Sequence, residues 1–152
     1  MKNVVQIIDE SISFEMETYK LYSFFSETFS LESNFWNQLA EEELNHVTVL
    51  RKILSFYQGN ESVLESISPS DIEEVRKSRN HLNKLFEEFK NNPKRDIAFK
   101  IALEIEESVS ESSYQNFMTK ITDDPVATMF QFLNGQEKDH LLRVQKQYKL
   151  KI

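Results

Sequence analysis

The sequence predicts an all-α protein: a four-helix bundle of two antiparallel helical hairpins, joined by a long crossover that contains an extra helix. Three observations carry this prediction. Only two glycines and three prolines occur in 152 residues, too few for the many turns of a β protein. Apolar residues recur at three- and four-residue steps through four long stretches, the period of a helix with one buried face. Capping residues stand at the ends of those stretches. The length suits one domain, residues 1–152, with a single core.

The first helix is expected from about Asn3 to Phe29, on a stripe of Ile8, Ile12, Glu15, Tyr19, Tyr22, Phe25 and Phe29. Ser30 to Asn34 reads as a tight turn with a polar cap. The second helix then continues to about Tyr57, with Phe35, Leu39, Glu43, His46, Leu50, Ile53 and Tyr57 on one face, and Gln58-Gly59-Asn60 ends it. After a long connection, Ser70 and Glu73 form a capping box for a more polar crossover helix from about Asp71 to Lys90. Asn92-Pro93 and Asp124-Pro125 each set a cap residue before a proline suited to the first helical position. They open helices of roughly Pro93 to Ile121 and Pro125 to Lys149. The crossover carries Ile67, Ile72, Val75, Leu82, Leu85, Phe86 and Phe89 among many charges, the mixture expected of a helix lying against the outside of a bundle.

Composition removes several function classes. With 25 acidic against 18 basic residues and a net charge of -7, a nucleic-acid partner is not expected. The absence of cysteine excludes disulfides, thiolate catalysis and thiolate-bound iron, and it fits a reducing cytoplasm. The start, Met1 to Gln6, lacks the apolar run of a signal peptide, and no later run reaches membrane-span length. The expectation is a cytoplasmic protein without a membrane partner.

Two Glu-x-x-His units, Glu43-Leu44-Asn45-His46 and Glu137-Lys138-Asp139-His140, hold two of the three histidines. Each lies in the same apolar frame: Leu39 and Leu50 around the first, Leu133 and Val144 around the second. Residues three apart share a helix face, so each Glu sets a carboxylate beside its His. That face is the apolar one, where an unpaired carboxylate is costly to bury. A di-metal site inside a four-helix bundle resolves the conflict, with two helices giving one Glu each and two giving Glu-x-x-His.

The halves echo each other: Ser11-Ile12-Ser13-Phe14-Glu15 resembles Ala102-Leu103-Glu104-Ile105-Glu106, and a Glu-x-x-His follows each about thirty residues later. Glu15 lies on the inward stripe of the first helix, while Glu17 is about 200° round and points out. In the third bundle helix the inward stripe runs through Phe99, Ala102, Glu106, Val109, Ser113 and Phe117. This favours Glu106 as the ligand, with Glu107 as the competing candidate. The expected metal ligands are therefore Glu15, Glu43, His46, Glu106, Glu137 and His140. Tyr22 and Tyr114 follow Glu15 and Glu106 by seven and eight residues, within reach of the ligand shell as catalytic second-layer hydroxyls. His81 has no such frame and reads as a surface histidine. Of Glu41, Glu42 and Glu43 only the last faces inward, and the other two are expected to be solvated. Carboxylates with imidazoles suit two iron ions, with manganese or zinc as alternatives, and four Glu against two dications leave a neutral site.

On these residues the chain resembles the rubrerythrin-like branch of the ferritin-like diiron-carboxylate superfamily over nearly its whole length. The carriers are Glu15 with Tyr22, Glu43 with His46, Glu106 with Tyr114, and Glu137 with His140. The resemblance implies a ferritin-like bundle and a diiron centre that reduces hydrogen peroxide or dioxygen with electrons from an external donor such as a rubredoxin. It also implies pairing into a homodimer. Two departures matter. No Cys-x-x-Cys pair exists, so the rubredoxin domain is missing. The extra inward Glu that follows the third-helix ligand by three residues in rubrerythrins is Val109 here, which puts their redox-linked ligand exchange in doubt.

Two other classes stand beside this oxidoreductase. Bacterioferritin-type ferroxidase and iron storage shares Glu-x-x-His in both halves, but Leu44 stands where its haem-binding methionine would be, and only twelve residues follow His140. A metal-binding sensor or partner module without catalysis is the third.

Overall fold

The computed structural model describes residues 2–57, 72–110 and 125–150. Five α-helices stand among the described residues: α1 Lys2–Thr28, α2 Ser33–Tyr57, α3 Ile72–Asn91, α4 Arg95–Ser110 and α5 Pro125–Tyr148. No strand occurs among the described residues. The architecture is the expected all-α ferritin-like bundle, with α1/α2 and α4/α5 as the two hairpins and α3 as the helix of the crossover.

The joint between α1 and α2 is a single 3-10 turn, Ser30–Glu32, so α2 begins at Ser33, earlier than the expected turn allowed. Ser26 Oγ lies 2.9 Å from the Ser33 hydroxyl and also donates to the Ser33 carbonyl, tying the first helix to the start of the second. One proline behaves differently from expectation. Pro93 precedes the cap of α4 rather than opening it: the Lys94 carbonyl accepts the first helical hydrogen bond, from Ala98 N–H at 3.0 Å, and the helix starts at Arg95. Pro125 is the first described residue of α5. The expected helix end at Gln58-Gly59-Asn60, the capping Ser70, Asp124, and the stretch of the third bundle helix beyond Ser110 lie outside the described residues.

The core forms two clusters. At the closed end of the first hairpin, Tyr22, Phe25, Trp36, Phe89 and Phe99 are almost fully buried together. Their rings meet edge-to-face or tilted, with centroids 4.7 Å apart for Phe25–Phe89 and for Trp36–Phe99 and 4.9 Å for Phe25–Trp36, arrangements that suit the ring quadrupole. The crossover helix contributes Leu82 and Phe89 to this cluster, with Leu85 and Phe86 packed against it. At the opposite end a smaller, mainly aliphatic cluster joins Ile8, Leu50, Ile53, Phe130 and Leu133. The Glu-x-x-His units lie along the helices between these two clusters.

Two charge networks fasten the periphery. Arg79 of α3 donates to Glu17 at 3.0 Å and to Glu10 at 2.8 Å on α1. Glu17, expected to point to solvent, is half-buried and faces the crossover helix. Arg95 donates to both oxygens of the buried Glu32, at 2.7 and 3.0 Å, and to the carbonyls of Gln147 and Leu150. It thereby fastens the joint of the first hairpin to the end of α5.

Candidate metal centre

Glu15, Glu43, His46, Glu106, Glu137 and His140 are all buried, none more than 8 % exposed. They come from all four bundle helices, and each is held inward by the apolar period of its own helix. Glu106 is fully buried while Glu107 is exposed, so the stripe through Phe99 and Ala102 is the inward one. The side chain of Val109 and all of Tyr114, Ser113 and Phe117 lie outside the described residues.

Both histidines turn Nδ1 toward the carboxylates. His46 Nδ1 lies 3.0 Å from Glu137, 3.2 Å from Glu43 and 3.8 Å from Glu15. His140 Nδ1 lies 3.0 Å from Glu43 and 3.7 Å from Glu106. The two rings stack with centroids 5.1 Å apart and planes 21° from parallel. Glu43 touches one histidine with each oxygen, Oε1 toward His140 and Oε2 toward His46. Glu15 stands on the His46 side and Glu106 on the His140 side, so each half supplies one end of the cluster.

Tyr22 is fully buried and donates its hydroxyl to Glu106 Oε1 at 2.6 Å. It crosses from α1 to α4 rather than serving Glu15 on its own helix. His81 is exposed and pairs with Glu104, away from the cluster, as a surface histidine should.

Electrostatically the cluster is unsettled on its own. Burial, then the charge of Glu43, pushes the Glu15 carboxyl well above its ordinary range. Burial and Glu137 bring Glu106 up to about 7. Glu137 is raised by burial and by Glu15. Burial alone would depress both imidazoles, but the surrounding carboxylates outweigh it. His46 is held far above its usual value by Glu137, Glu15 and Glu43, and His140 is pushed up to about 12 by Glu106, Glu42 and Glu43. Tyr22 is raised by burial and by the Glu106 charge, so its hydroxyl keeps its proton. Every one of these shifts favours retained protons, the response of crowded, buried carboxylates.

The donor set fits a metal. Both ring nitrogens of His46, Nε2 of His140, and one oxygen each of Glu43, Glu106 and Glu137 are buried with no hydrogen-bond partner among the described residues. Several of these atoms lie 3.0–3.2 Å from one another yet are misaligned for hydrogen bonds. Buried polar atoms left in this state are costly, and ligation would satisfy them together. Glu43, His46, Glu137 and His140 each offer an atom within 4.8 Å of the others, a grouping that could hold a metal ion. Metal binding would displace the retained protons.

Two features escaped the sequence reading. Glu42, expected to be solvated, is half-buried: Arg143 clamps both its oxygens at 2.8 Å, and its Oε1 lies 3.7 Å from His140 Nε2. These neighbours, His140 first and then Arg143, hold Glu42 down at about 2 against its partial burial. The available signal was Arg143, one turn after His140 and on the same face. Asn134, one turn before Glu137, is buried with neither amide atom hydrogen-bonded among the described residues. Only its position on the inward face hinted at this.

No curated protein and no solved structure matches the chain. A family model does: Rubrerythrin, over residues 6–148. With that match across almost the whole chain, and with the carboxylate–histidine cluster its bundle encloses, the protein belongs to the rubrerythrin family.

Proposed function

We propose that this protein is a non-haem diiron oxidoreductase that reduces peroxide or dioxygen with electrons from an external donor protein. The observation that carries the reading is the meeting of four buried glutamates and two histidines, with no lysine or arginine paired to those glutamates among the described residues. Oxygen ligands with two imidazoles favour iron or manganese over softer metals.

Glu43, which reaches both histidines, and Glu137 would hold the metal together with His46 and His140, with Glu15 on the His46 side and Glu106 on the His140 side. Bound iron would supply two electrons, one from each ion, to an O–O bond. The remaining work falls to the chain's own residues. Tyr22 fixes Glu106 through its hydroxyl and carries a proton at the edge of the cluster. The aromatic cluster on one side and the aliphatic cluster on the other exclude bulk water from the waist between them. The sequence carries no cysteine to hold a thiolate-bound iron centre, and the proposed electron source is a separate rubredoxin-type partner.

No helix among the described residues is long and apolar enough to cross a membrane, and a cytoplasmic setting is part of the proposal. Homodimer pairing is also part of it, supported by the family alone, because the apolar face of the crossover helix covers its own bundle. Light scattering at twice the 18.0 kDa chain mass tests that.

The function is tested by loading the protein anaerobically with Fe(II) and following peroxide consumption with a reduced rubredoxin as donor. The expected result is many turnovers per chain, lost in a Glu43→Ala/Glu137→Ala variant. Iron-loaded protein consuming peroxide no faster than free iron would refute it.

A further inference from the structure

The repeat that delivers the ligands does not extend to the groups behind them. Aligning the two Glu-x-x-His units sets Glu42 against Gln136, Asn45 against Asp139, and Val49 against Arg143. Behind His140, Arg143 donates to both oxygens of Glu42 at 2.8 Å and to Asp139 at 3.1 Å. That arrangement stands Glu42 Oε1 3.7 Å from His140 Nε2. This distance is longer than a hydrogen bond but short enough for a carboxylate to attract an N–H dipole. Behind His46 the corresponding residues are Gln136, Asn45 and Val49, none of them charged. Nε2 of both His46 and His140 is buried with no hydrogen-bond partner among the described residues, so what sets His140 apart is the carboxylate standing near its ring.

A carboxylate facing one ring nitrogen of a ligating histidine keeps the proton there, leaves the other nitrogen free for the metal, and raises its basicity. His140 Nδ1 hydrogen-bonds Glu43 Oε1 at 3.0 Å and would give up that proton on binding a metal, while Nε2, facing Glu42, keeps its own. The bidentate guanidinium fork matters because it prevents the glutamate from swinging to solvent. Asp139, on the same helix as Arg143, fixes the fork in turn.

We propose that Glu42, clamped by Arg143 and Asp139, is a positioning residue that orients His140 so that the metal position it serves fills before the position served by His46. This rests on the di-metal reading of the site, and the two can fail separately.

The test is titration of the metal-free protein with Zn(II), a diamagnetic probe, while the imidazole nitrogens of 15N-histidine-labelled protein are followed by NMR. The first equivalent should shift His140 Nδ1 and the second His46 Nδ1, with dissociation constants at least about tenfold apart. Glu42→Gln keeps the size and removes the charge. It should weaken the first step about tenfold, leave the second unchanged, and make both rings shift together. Arg143→Lys, which keeps charge but loses the fork, should give a smaller weakening, and Glu42→Asp should restore part of the order. A purely structural role for Glu42 would weaken both steps equally. Parallel shifts of both rings in the unaltered protein, His46 shifting first, or an unchanged order in Glu42→Gln would overturn the inference while leaving the di-metal reading intact. No shift of either ring would overturn both.

Discussion

Glu32 and Glu43 are buried almost equally, at 3 % and 1 % exposure, yet their surroundings differ in kind. Glu32 is matched within the chain: Arg95 takes both its oxygens and Gln147 donates to one of them at 2.9 Å. Glu43 shares a waist with Glu15, Glu106 and Glu137, and among the described residues only two imidazoles stand against the four carboxylates. A buried acid serving architecture carries its counter-charge with it, because an unpaired buried charge is severely destabilising. Buried acids without one either keep their protons or take a cation from outside. The contrast between Arg95-matched Glu32 and the unmatched waist is the physical core of the metal-site reading.

The contrast can be broken most forcefully at Arg95. Arg95→Ala strands Glu32 and should cost about 3 kcal/mol in urea denaturation. Glu137→Gln, which removes one of the crowded charges, should leave metal-free protein at least as stable as the parent. A similar loss from both substitutions would erase the distinction. Next in size is the effect of metal itself. Ion at a hundred times its dissociation constant should stabilise the protein by about 2.7 kcal/mol per site. That gain should persist in Arg95→Ala and shrink in Glu137→Gln, as thermal denaturation with and without metal would show.

The pH dependence of metal-free protein sharpens the comparison further. A carboxyl whose pKa is raised by folding costs stability as pH climbs from its unfolded to its folded value, and an imidazole with a raised pKa loses its contribution over the same kind of interval. Glu106 moves from 4.5 to about 7 and His140 from 6.5 to about 12. The metal-free waist should therefore lose stability continuously from about pH 4.5 upward. Below that, Glu42, held at about 2 beside His140 and Arg143, works in the opposite sense. Since bound metal replaces the retained protons, the gain on adding metal should grow between pH 5.5 and 8. A metal increment that stays flat over that range would contradict the proton count.

Smaller effects follow at the margins. Tyr22→Phe removes the 2.6 Å bond to Glu106 and should cost about 2 kcal/mol at pH 8, where the acid is ionised, and less at pH 5.5. His81→Ala, on the exposed flank of α3, should change stability by no more than about 0.5 kcal/mol and leave metal content untouched.

The bundle and the buried acids and histidines of its waist were legible because helix period and burial act residue by residue along the sequence. Glu15 between Ile12 and Tyr19, and Glu106 after Phe99 and Ala102, declare their faces without tertiary information. What was illegible depends on neighbours far along the chain. Glu42 reads as one more charge in an acidic run, and only the approach of α5 gives it Arg143 and His140. Glu32 looks like a turn residue until Arg95, 63 positions later, folds onto it. Tyr22 could be placed near the ligands by spacing, but its partner on α4 rather than α1 is set by packing between hairpins. The start of α4 was misplaced because a proline suits both the first turn of a helix and the residue before its cap, and Lys94 settles the matter through its carbonyl.

The central claim is that four buried glutamates and two histidines exist to hold two ions. Its most direct test is the metal stoichiometry of protein produced with ample iron, measured by elemental analysis on the parent and on Glu43→Ala/Glu137→Ala. The account predicts close to two ions per chain in the parent and essentially none in the double variant, with both proteins folded by circular dichroism. Metal-free parent protein that takes up no iron, or a double variant that still carries two ions, would contradict it.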